Sequence, residues 1–249
     1  MRWRTVIIMK KILITGGTVF VSKYIASYFA NENYEVFVLN RGTRQQIDGV
    51  NLIKADRNFL NGKLHDMHFD VVIDVCAYNK KDIQNLLNEN FTFEQYIFIS
   101  SSAVYPETLK QPFNEKQDVG INSIWGDYGT NKISAEKYLL KVVPNAYILR
   151  PPYLYGKMQN LYREPFVFQC AEQNRKFFIP EDGHMKLQFF DVEDLCKVIT
   201  AIIESKPKHH IMNVGNHQLV DVNEFVEKCY QIVGIPLIKK YVTNYPNQR

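Results

Sequence analysis

Short apolar runs separated by amphipathic stretches constrain this chain more than any other feature. Lys11–Thr15, Glu35–Asn40, Val50–Ala55, Val71–Val75, Gln95–Ser100 and Ala146–Leu149 are each four to six residues long and rich in β-branched or aromatic side chains. That is strand length. Most of these runs lack the period-two alternation of a sheet wetted on one face, so parallel strands buried on both faces are expected. Helix-length amphipathic segments lie between them, over Ser22–Asn31, Asp82–Asn88 and Gly129–Val143, the last closed by Pro144. Strand and helix in alternation from the outset predict an α/β fold with a doubly wound parallel sheet.

After about Pro151 this rhythm breaks. Aromatics, prolines and loops fill Pro151–Phe190, and helices are expected over Val192–Glu204 and Asn223–Val233. The chain therefore divides into a sheet domain over residues 9–150 and a small C-terminal lobe over 151–249, interleaved with the last elements of the sheet. Such a lobe is expected to pack over the sheet's carboxyl edge, where open α/β folds bind ligands. The ending YVTNYPNQR reads as interrupted, so the lobe is expected to be truncated.

Composition narrows the function classes. Apolar content of 46% and charged content of 22% are those of an ordinary globular protein, which excludes disorder. A net charge of +4 is mild, and its densest cationic cluster, Lys206–His210, is broken by Pro207, so a nucleic-acid surface is not expected. Cys76, Cys170, Cys196 and Cys229 show no C-x-x-C spacing and are read as free thiols in a reducing cytoplasm, with no metal site. Two arginines precede the apolar opening, but Met9-Lys10-Lys11 interrupts it and no small-residue cleavage site follows, so export is not expected. Met9 is an alternative start, with residues 1–8 as an extension. No apolar run approaches the roughly 18 residues that span a bilayer.

The first strand runs into a glycine pair and then a helix, as ILITGGTVFVSKY. That order suits a pyrophosphate, because free N–H groups and the positive end of the helix dipole face the turn. Gly16 supplies the tight turn, while the other two fingerprint positions fall at Val19 and Ser22. A small Ser22 keeps helix and strand close. Val19 requires an allowed backbone and a side chain turned away from the phosphates. The second strand ends in Asn40 and Arg41, where an NAD-selective site carries an acidic residue. With Arg44, these favour the 2′-phosphate of NADP(H) over NAD. Asp56, at the end of the third strand, is placed either to accept from an adenine amino group or to cap the following turn.

TGGTVFVS, LNRG, ADRN, DVCAY, FISSSAVY, YGTNK, LRPPYLYG and QFFDVEDL follow one another across residues 10–220. In order and spacing this set resembles the NAD(P)-binding epimerase/dehydratase family, the extended and atypical short-chain dehydrogenase/reductases. It looks closest to the atypical branch that includes the chloroplast stem-loop-binding proteins. The resemblance implies a Rossmann-type sheet holding a dinucleotide against Gly16, Thr18, Phe20 and Val21 in the loop. Asn40, Arg41, Asp56 and Arg57 would attend the adenosine end, and Ala77, Tyr78, Lys132, Pro151 and Tyr153 the nicotinamide end. Relatives also pair through helices like the one bearing Tyr128, which implies a homodimer.

The family's acid/base is a tyrosine with a lysine four residues on. Tyrosine has a reference pKa near 10 and is a poor base unless a neighbouring cation favours its phenolate. Tyr128 and Lys132 fit on one helical face; a second match, Tyr153 with Lys157, lies among prolines and a glycine where no helix is expected. The hydroxyl partner falls at Ser101, between Ser100 and Ser102. Family dehydratases carry Asp-Glu just after it; Ser102 and Ala103 here disfavour sugar dehydration. Nucleotide-sugar relatives often place an arginine at the position of Leu187, so either Lys186 substitutes or the substrate is not a nucleotide sugar. Pro152 is expected near the reacting centre, His184 in a loop without a partner, and Asp191 and Asp194 as caps for the helix that follows. The expected activity is oxidoreduction or epimerisation of a small sugar-like substrate. The alternative is a non-catalytic cofactor-binding or RNA-associated protein.

Overall fold

The computed structural model describes residues 9–243. The extension ahead of Met9 and the last six residues of YVTNYPNQR lie outside them. In chain order the elements are β1 (Lys11–Thr15), α1 (Phe20–Asn31), β2 (Glu35–Asn40), β3 (Val50–Lys54), β4 (His68–Asp74), α2 (Lys80–Leu87), β5 (Thr92–Ile99) and α3 (Asp127–Val142). There follow β6 (Tyr147–Arg150), β7 (Tyr153–Tyr155), α4 (Glu164–Glu172), β8 (Phe177–Pro180), β9 (Lys186–Leu187), β10 (Phe189–Asp191), α5 (Val192–Ser205), β11 (Ile211–Asn213), β12 (Val220–Asp221), α6 (Val222–Val233) and β13 (Lys239–Val242). The described residues up to Gln159, with Phe190–Val214, form one compact unit; Asn160–Phe189 and those from Gly215 onward form another.

In the first unit seven strands pair in the order β11-β6-β5-β4-β1-β2-β3. Every pairing is parallel. This is a Rossmann-type sheet. Because successive side chains of a strand point to opposite faces, Ile12 and Ile14 of β1 join Ile25 and Phe29 of α1 and Leu195 and Ile199 of α5 on one side. Leu13 turns the other way, to the cluster holding Ile83 and Leu86 of α2 and Ala135 and Leu139 of α3. Two apolar faces covered by helices account for the near-continuous apolar strands. β3 departs from that expectation. It is the sheet's edge, with Leu52 40% exposed, and Ala55 falls beyond its end. An apolar run does not reveal whether another strand will pair outside it.

The second unit packs α4 against α6 through Val167, Cys170, Ala171, Val226, Cys229 and Tyr230. Helix α4 was not expected in a stretch read as loops. Its proline lies in the first turn, where the missing N–H costs no hydrogen bond. Asp221 caps α6 through the Glu224 backbone N–H at 2.8 Å. His184, expected without a partner, meets the same carboxylate at 3.3 Å, as does Lys186. Back in the first unit, Asp191 caps α5 by accepting from the Glu193 N–H at 2.7 Å, while Asp194 pairs with Lys197 at 2.9 Å. The four cysteines are free, three of them buried and Cys76 partly so. Among the described residues no helix is long and apolar enough to cross a membrane.

Candidate active site

The sheet order reverses at β1, whose neighbours are β2 and β4, and the crevice at the carboxyl ends of β1 and β4 is the switch point where such sheets take ligands. Gly16 and Gly17 line it with φ of +98° and +90°, a region that side chains rarely adopt. A Cβ on Gly16 would lie 2.6 Å from Cys76 Sγ, and one on Gly17 would lie 2.6 Å from Val38 Cγ1. Both positions therefore demand glycine. Val19 meets the first of its two conditions, with φ at −134° in the extended region, and the residue is 36% exposed. Ser22 is buried and donates to the Val19 carbonyl at 3.0 Å, keeping helix and strand close.

Unlike α2, α5 and α6, helix α1 has no side-chain cap and no acidic residue in its first turn. Its first N–H groups are thus left for an anion at the glycine turn. Phe20 opens the helix buried and at φ +29°, an unusual backbone for a non-glycine residue, while Thr18 and Val21 are half-buried beside it. This cradle, which any Cβ would fill, fits a dinucleotide pyrophosphate.

The residues expected at the adenosine end divide in their contacts. Asn40 is turned to the loop: its Nδ2 donates to the Gly16 carbonyl at 2.6 Å and to Gln46 Oε1 at 2.9 Å. Arg41 and Arg44 are exposed beyond β2. Asp56 Oδ1 accepts from the Asn58 N–H at 2.8 Å, closing the turn after β3. Arg57 points inward and grips Asp74 with both terminal nitrogens, at 2.7 and 2.5 Å, while its Nε donates to the Asp82 carbonyl at 3.0 Å.

Asp74, at the end of β4, is fully buried. It also accepts from the Thr15 hydroxyl at 2.7 Å and the Tyr96 hydroxyl at 2.6 Å. Burial alone would push its pKa up, but the charge and hydrogen bonds of Arg57 outweigh that and hold the carboxyl below its ordinary value. Neither Thr15 nor Asp74 was singled out from sequence. A carboxylate closing the apolar run VVID was the available signal.

The residues expected to react gather at the carboxyl ends of β4 and β5. Lys132, on α3, is buried; its Nζ donates to the carbonyls of Ala77 at 2.8 Å and Ile99 at 2.9 Å. Burial lowers its pKa to about 8, against the pull of Asp74, Cys76 and Glu136. Tyr128 stands one helical turn earlier, 36% exposed, with its ring 6.2 Å from that of Tyr78. Its phenol is raised by burial, with Ser101 opposing the rise through a hydrogen bond and Tyr78 adding to it. Ser100 is committed elsewhere, donating to Glu136 at 2.5 Å, which distinguishes it from Ser101. Pro151 is buried, and its carbonyl takes the Ser102 N–H at 2.9 Å.

Two features of this set were missed in the sequence. Gly129, beside Tyr128, lets α3 approach so closely that a Cβ there would sit 2.4 Å from the Ala103 carbonyl oxygen. Trp125 stands 42% exposed, with its ring 6.2 Å from Tyr128 and 6.1 Å from Tyr153. Asn122 holds that turn by accepting the Ile124 and Trp125 N–H groups, each at 3.0 Å. Tyr153 lies on a strand, not a helix, so Lys157 does not share a helical face with it.

The chain belongs to the NAD dependent epimerase/dehydratase family, which it matches over residues 12–215. It is similar to the chloroplast stem-loop binding protein of 41 kDa b of Arabidopsis thaliana, with 26% identity over 246 residues, covering 91% of this chain. It spans 64% of that relative's length. Among solved structures it resembles dTDP-glucose 4,6-dehydratase from Bacillus anthracis str. Ames in complex with NAD, at a TM-score of 0.76 and 20% identity, over 95% of this chain and 85% of that one. It also resembles the UDP-N-acetylglucosamine 4-epimerase from Methanobrevibacter ruminantium M1 in complex with UDP-N-acetylmuramic acid, at a TM-score of 0.76 and 20% identity, over 96% and 87% of the two chains. At these identities the likeness is one of fold. The family implies a nicotinamide cofactor, and the glycine cradle fits one.

Proposed function

We propose that this chain is a nicotinamide-dependent epimerase or reductase acting on a hydroxyl or carbonyl of a small, sugar-like substrate, with Ser101, Tyr128 and Lys132 as its reacting set. The observation that carries this reading is the hydrogen bond between Ser101 and the Tyr128 phenol, at the carboxyl edge that also holds the glycine cradle and, one helical turn beyond Tyr128, the Lys132 ammonium against the Ala77 and Ile99 carbonyls. The raised Tyr128 is protonated at neutral pH and suited to give its proton to a substrate oxygen. Ser101 would hydrogen-bond that same oxygen. Lys132, whose Nζ meets the Ala77 and Ile99 carbonyls, would turn its remaining donor to the nicotinamide ribose and, as an ammonium, favour the phenolate left behind. A nicotinamide held at the glycine cradle would supply hydride transfer to or from the substrate carbon.

Arg41 and Arg44 favour NADP(H) over NAD. They carry that preference without Asn40, whose amide donors go to Gly16 and Gln46. Ser102 and Ala103 stand against sugar dehydration. The solved relatives make a nucleotide sugar the first substrate class to try, although Lys186 is already paired with Asp221. Titration with NADPH and NADH, followed by nicotinamide fluorescence, tests the reading. Binding of neither would end it, and tighter NADH binding would remove the argument from Arg41. On an identified substrate, Tyr128→Phe should abolish turnover while cofactor binding persists.

A second reading rests on the similarity to a stem-loop binding protein: the chain would hold RNA without catalysis. Retention of a stem-loop RNA at physiological salt by protein that binds neither nicotinamide cofactor would favour it.

A further inference from the structure

Arg57, Asp74, Thr15 and Tyr96 form a buried cluster that the proposed chemistry does not use. We propose that the Arg57–Asp74 pair is a positioning element for Lys132: it fixes the loop from Val75 to Tyr78 and, through that loop, seats the ammonium, so that Arg57 serves the reacting set instead of the adenosine end of a cofactor. The inference rests on the role given to Lys132 above.

The hydrogen bonds run continuously from one group to the other. Thr15 Oγ1 donates to Asp74 at 2.7 Å and accepts the Val75 and Cys76 N–H groups, each at 3.0 Å. Asp74 Oδ1 itself accepts the Ala77 N–H at 3.2 Å. Three consecutive loop N–H groups are thereby fixed to the ends of β1 and β4. Ala77 then turns its carbonyl to Lys132 Nζ at 2.8 Å, and the Tyr78 ring lies 5.4 Å from the same nitrogen. Arg57 anchors the far side, joining Asp74 to the Asp82 carbonyl of α2. A carboxylate this deep persists as an anion only with such a partner.

The charged and titratable groups facing Lys132 are Asp74, Cys76, Arg57 and Glu136, with the Tyr78 ring against it. Asp74, Cys76 and Glu136 favour the ammonium; burial and Arg57 oppose it. Neutralising Asp74 alone should therefore lower the Lys132 midpoint further, whereas loss of the whole pair cancels most of the charge effect and, by unseating the ammonium, lets water in and raises the midpoint toward the ordinary lysine value.

The test is an NMR titration of the Cε resonances in [13C]lysine-labelled, cofactor-free protein, with Lys132 assigned from the spectrum of Lys132→Arg. Asp74→Asn keeps an acceptor for the Ala77 N–H and loses only the charge, so its Lys132 midpoint is expected to fall by about half a unit or more. The double variant Arg57→Met/Asp74→Leu leaves no unpaired buried charge and removes that acceptor as well, which covers failure of the single variant to fold. With both opposing charges gone, its unseated ammonium is expected to titrate closer to the ordinary lysine value. An unchanged or lowered midpoint in the folded double variant would overturn the proposal. A second arm titrates Arg57→Lys with ADP-ribose. Affinity within about twofold of the unaltered protein is expected, and a loss of about tenfold would return Arg57 to the adenosine end. Failure of the unaltered protein to bind ADP-ribose would count against the cofactor reading and leave the lysine titration to decide this one.

Discussion

The side-chain amide of Asn40 donates to the carbonyl oxygen of Gly16 across 2.6 Å, tying the end of β2 to the turn of the glycine loop. The same nitrogen donates to Gln46 Oε1, and Asn40 Oδ1 accepts the Gly42 N–H at 2.9 Å. Asn40→Asp would set a carboxylate oxygen against two acceptors. A cost of about 1–3 kcal/mol is expected, seen as a lower urea midpoint, together with weaker binding of NADPH and NADH alike. A variant that instead exchanged one cofactor for the other at unchanged stability would mean that Asn40 reads the 2′-phosphate directly.

Gly129 is a point of close approach between α3 and the segment after β5. In Gly129→Ala the methyl would meet the Ala103 carbonyl oxygen at 2.4 Å, and backbone does not yield as a side-chain tip would. The helix must shift away, at a cost of about 1–3 kcal/mol despite alanine's better helix propensity. Tyr128 moves with the helix while Ser101 stays on its strand end. Turnover should therefore fall more than tenfold, roughly the loss expected from misplacing a reacting group by a fraction of an ångström to one ångström, with little change in ADP-ribose affinity. Wild-type turnover in a correctly folded Gly129→Ala would contradict the spacing argument.

Lys132 makes a pH prediction with a definite sign. Its folded pKa lies at about 8, below the 10.5 of an exposed lysine, so between those values the unfolded chain binds more protons than the folded one. Stability must rise with pH across that window. Below about pH 8 the cost of burying the ammonium is felt in full; above about 10.5 it is gone. Subtracting the profile of Lys132→Met, which lacks the titration but keeps the other groups, should leave a rise on the order of 3 kcal/mol. A flat difference profile in urea unfolding from pH 7 to 11 would show that the ammonium is not desolvated.

Much of this was legible because the signals were local. The bounds of β1 and β2 follow from their apolar runs, and the demand on Val19 was answered by an extended backbone that any L-residue adopts. Spacing along one helix also sufficed to put Tyr128 and Lys132 on the same face. What failed depended on neighbours in space. β3 looked buried because its edge position is a property of the sheet order. Helix α4 was hidden in a stretch of aromatics and prolines because its proline's place in the first turn shows only once the helix exists. The pairing of Arg57 with Asp74 did not show because Asp74 ends β4, a separate stretch of the chain; no local pattern announces that two such charges will meet.

The pair Arg150 and Glu136 offers the sharpest separation of stability from placement. Their side chains are each 4% exposed, bonded at 2.6 Å, and joined by Ser100 on the same carboxylate and by the Tyr105 hydroxyl on the guanidinium at 2.7 Å. Arg150→Met leaves a buried carboxylate with only a serine and should cost about 3–5 kcal/mol. Removing both charges, as Glu136→Gln with Arg150→Met, leaves nothing uncompensated and should recover most of that loss. Recovery of function is not expected to follow. Glu136 is the charged acceptor that holds the Ser100 hydroxyl, and a glutamine there is a weaker one, so the double variant should unfold near the wild-type urea midpoint, bind cofactor, and still turn over more slowly. If stability and turnover recovered together, the pair would be a packing element alone. If neither recovered, the ion pair would contribute net stability that neutral side chains of similar volume do not replace.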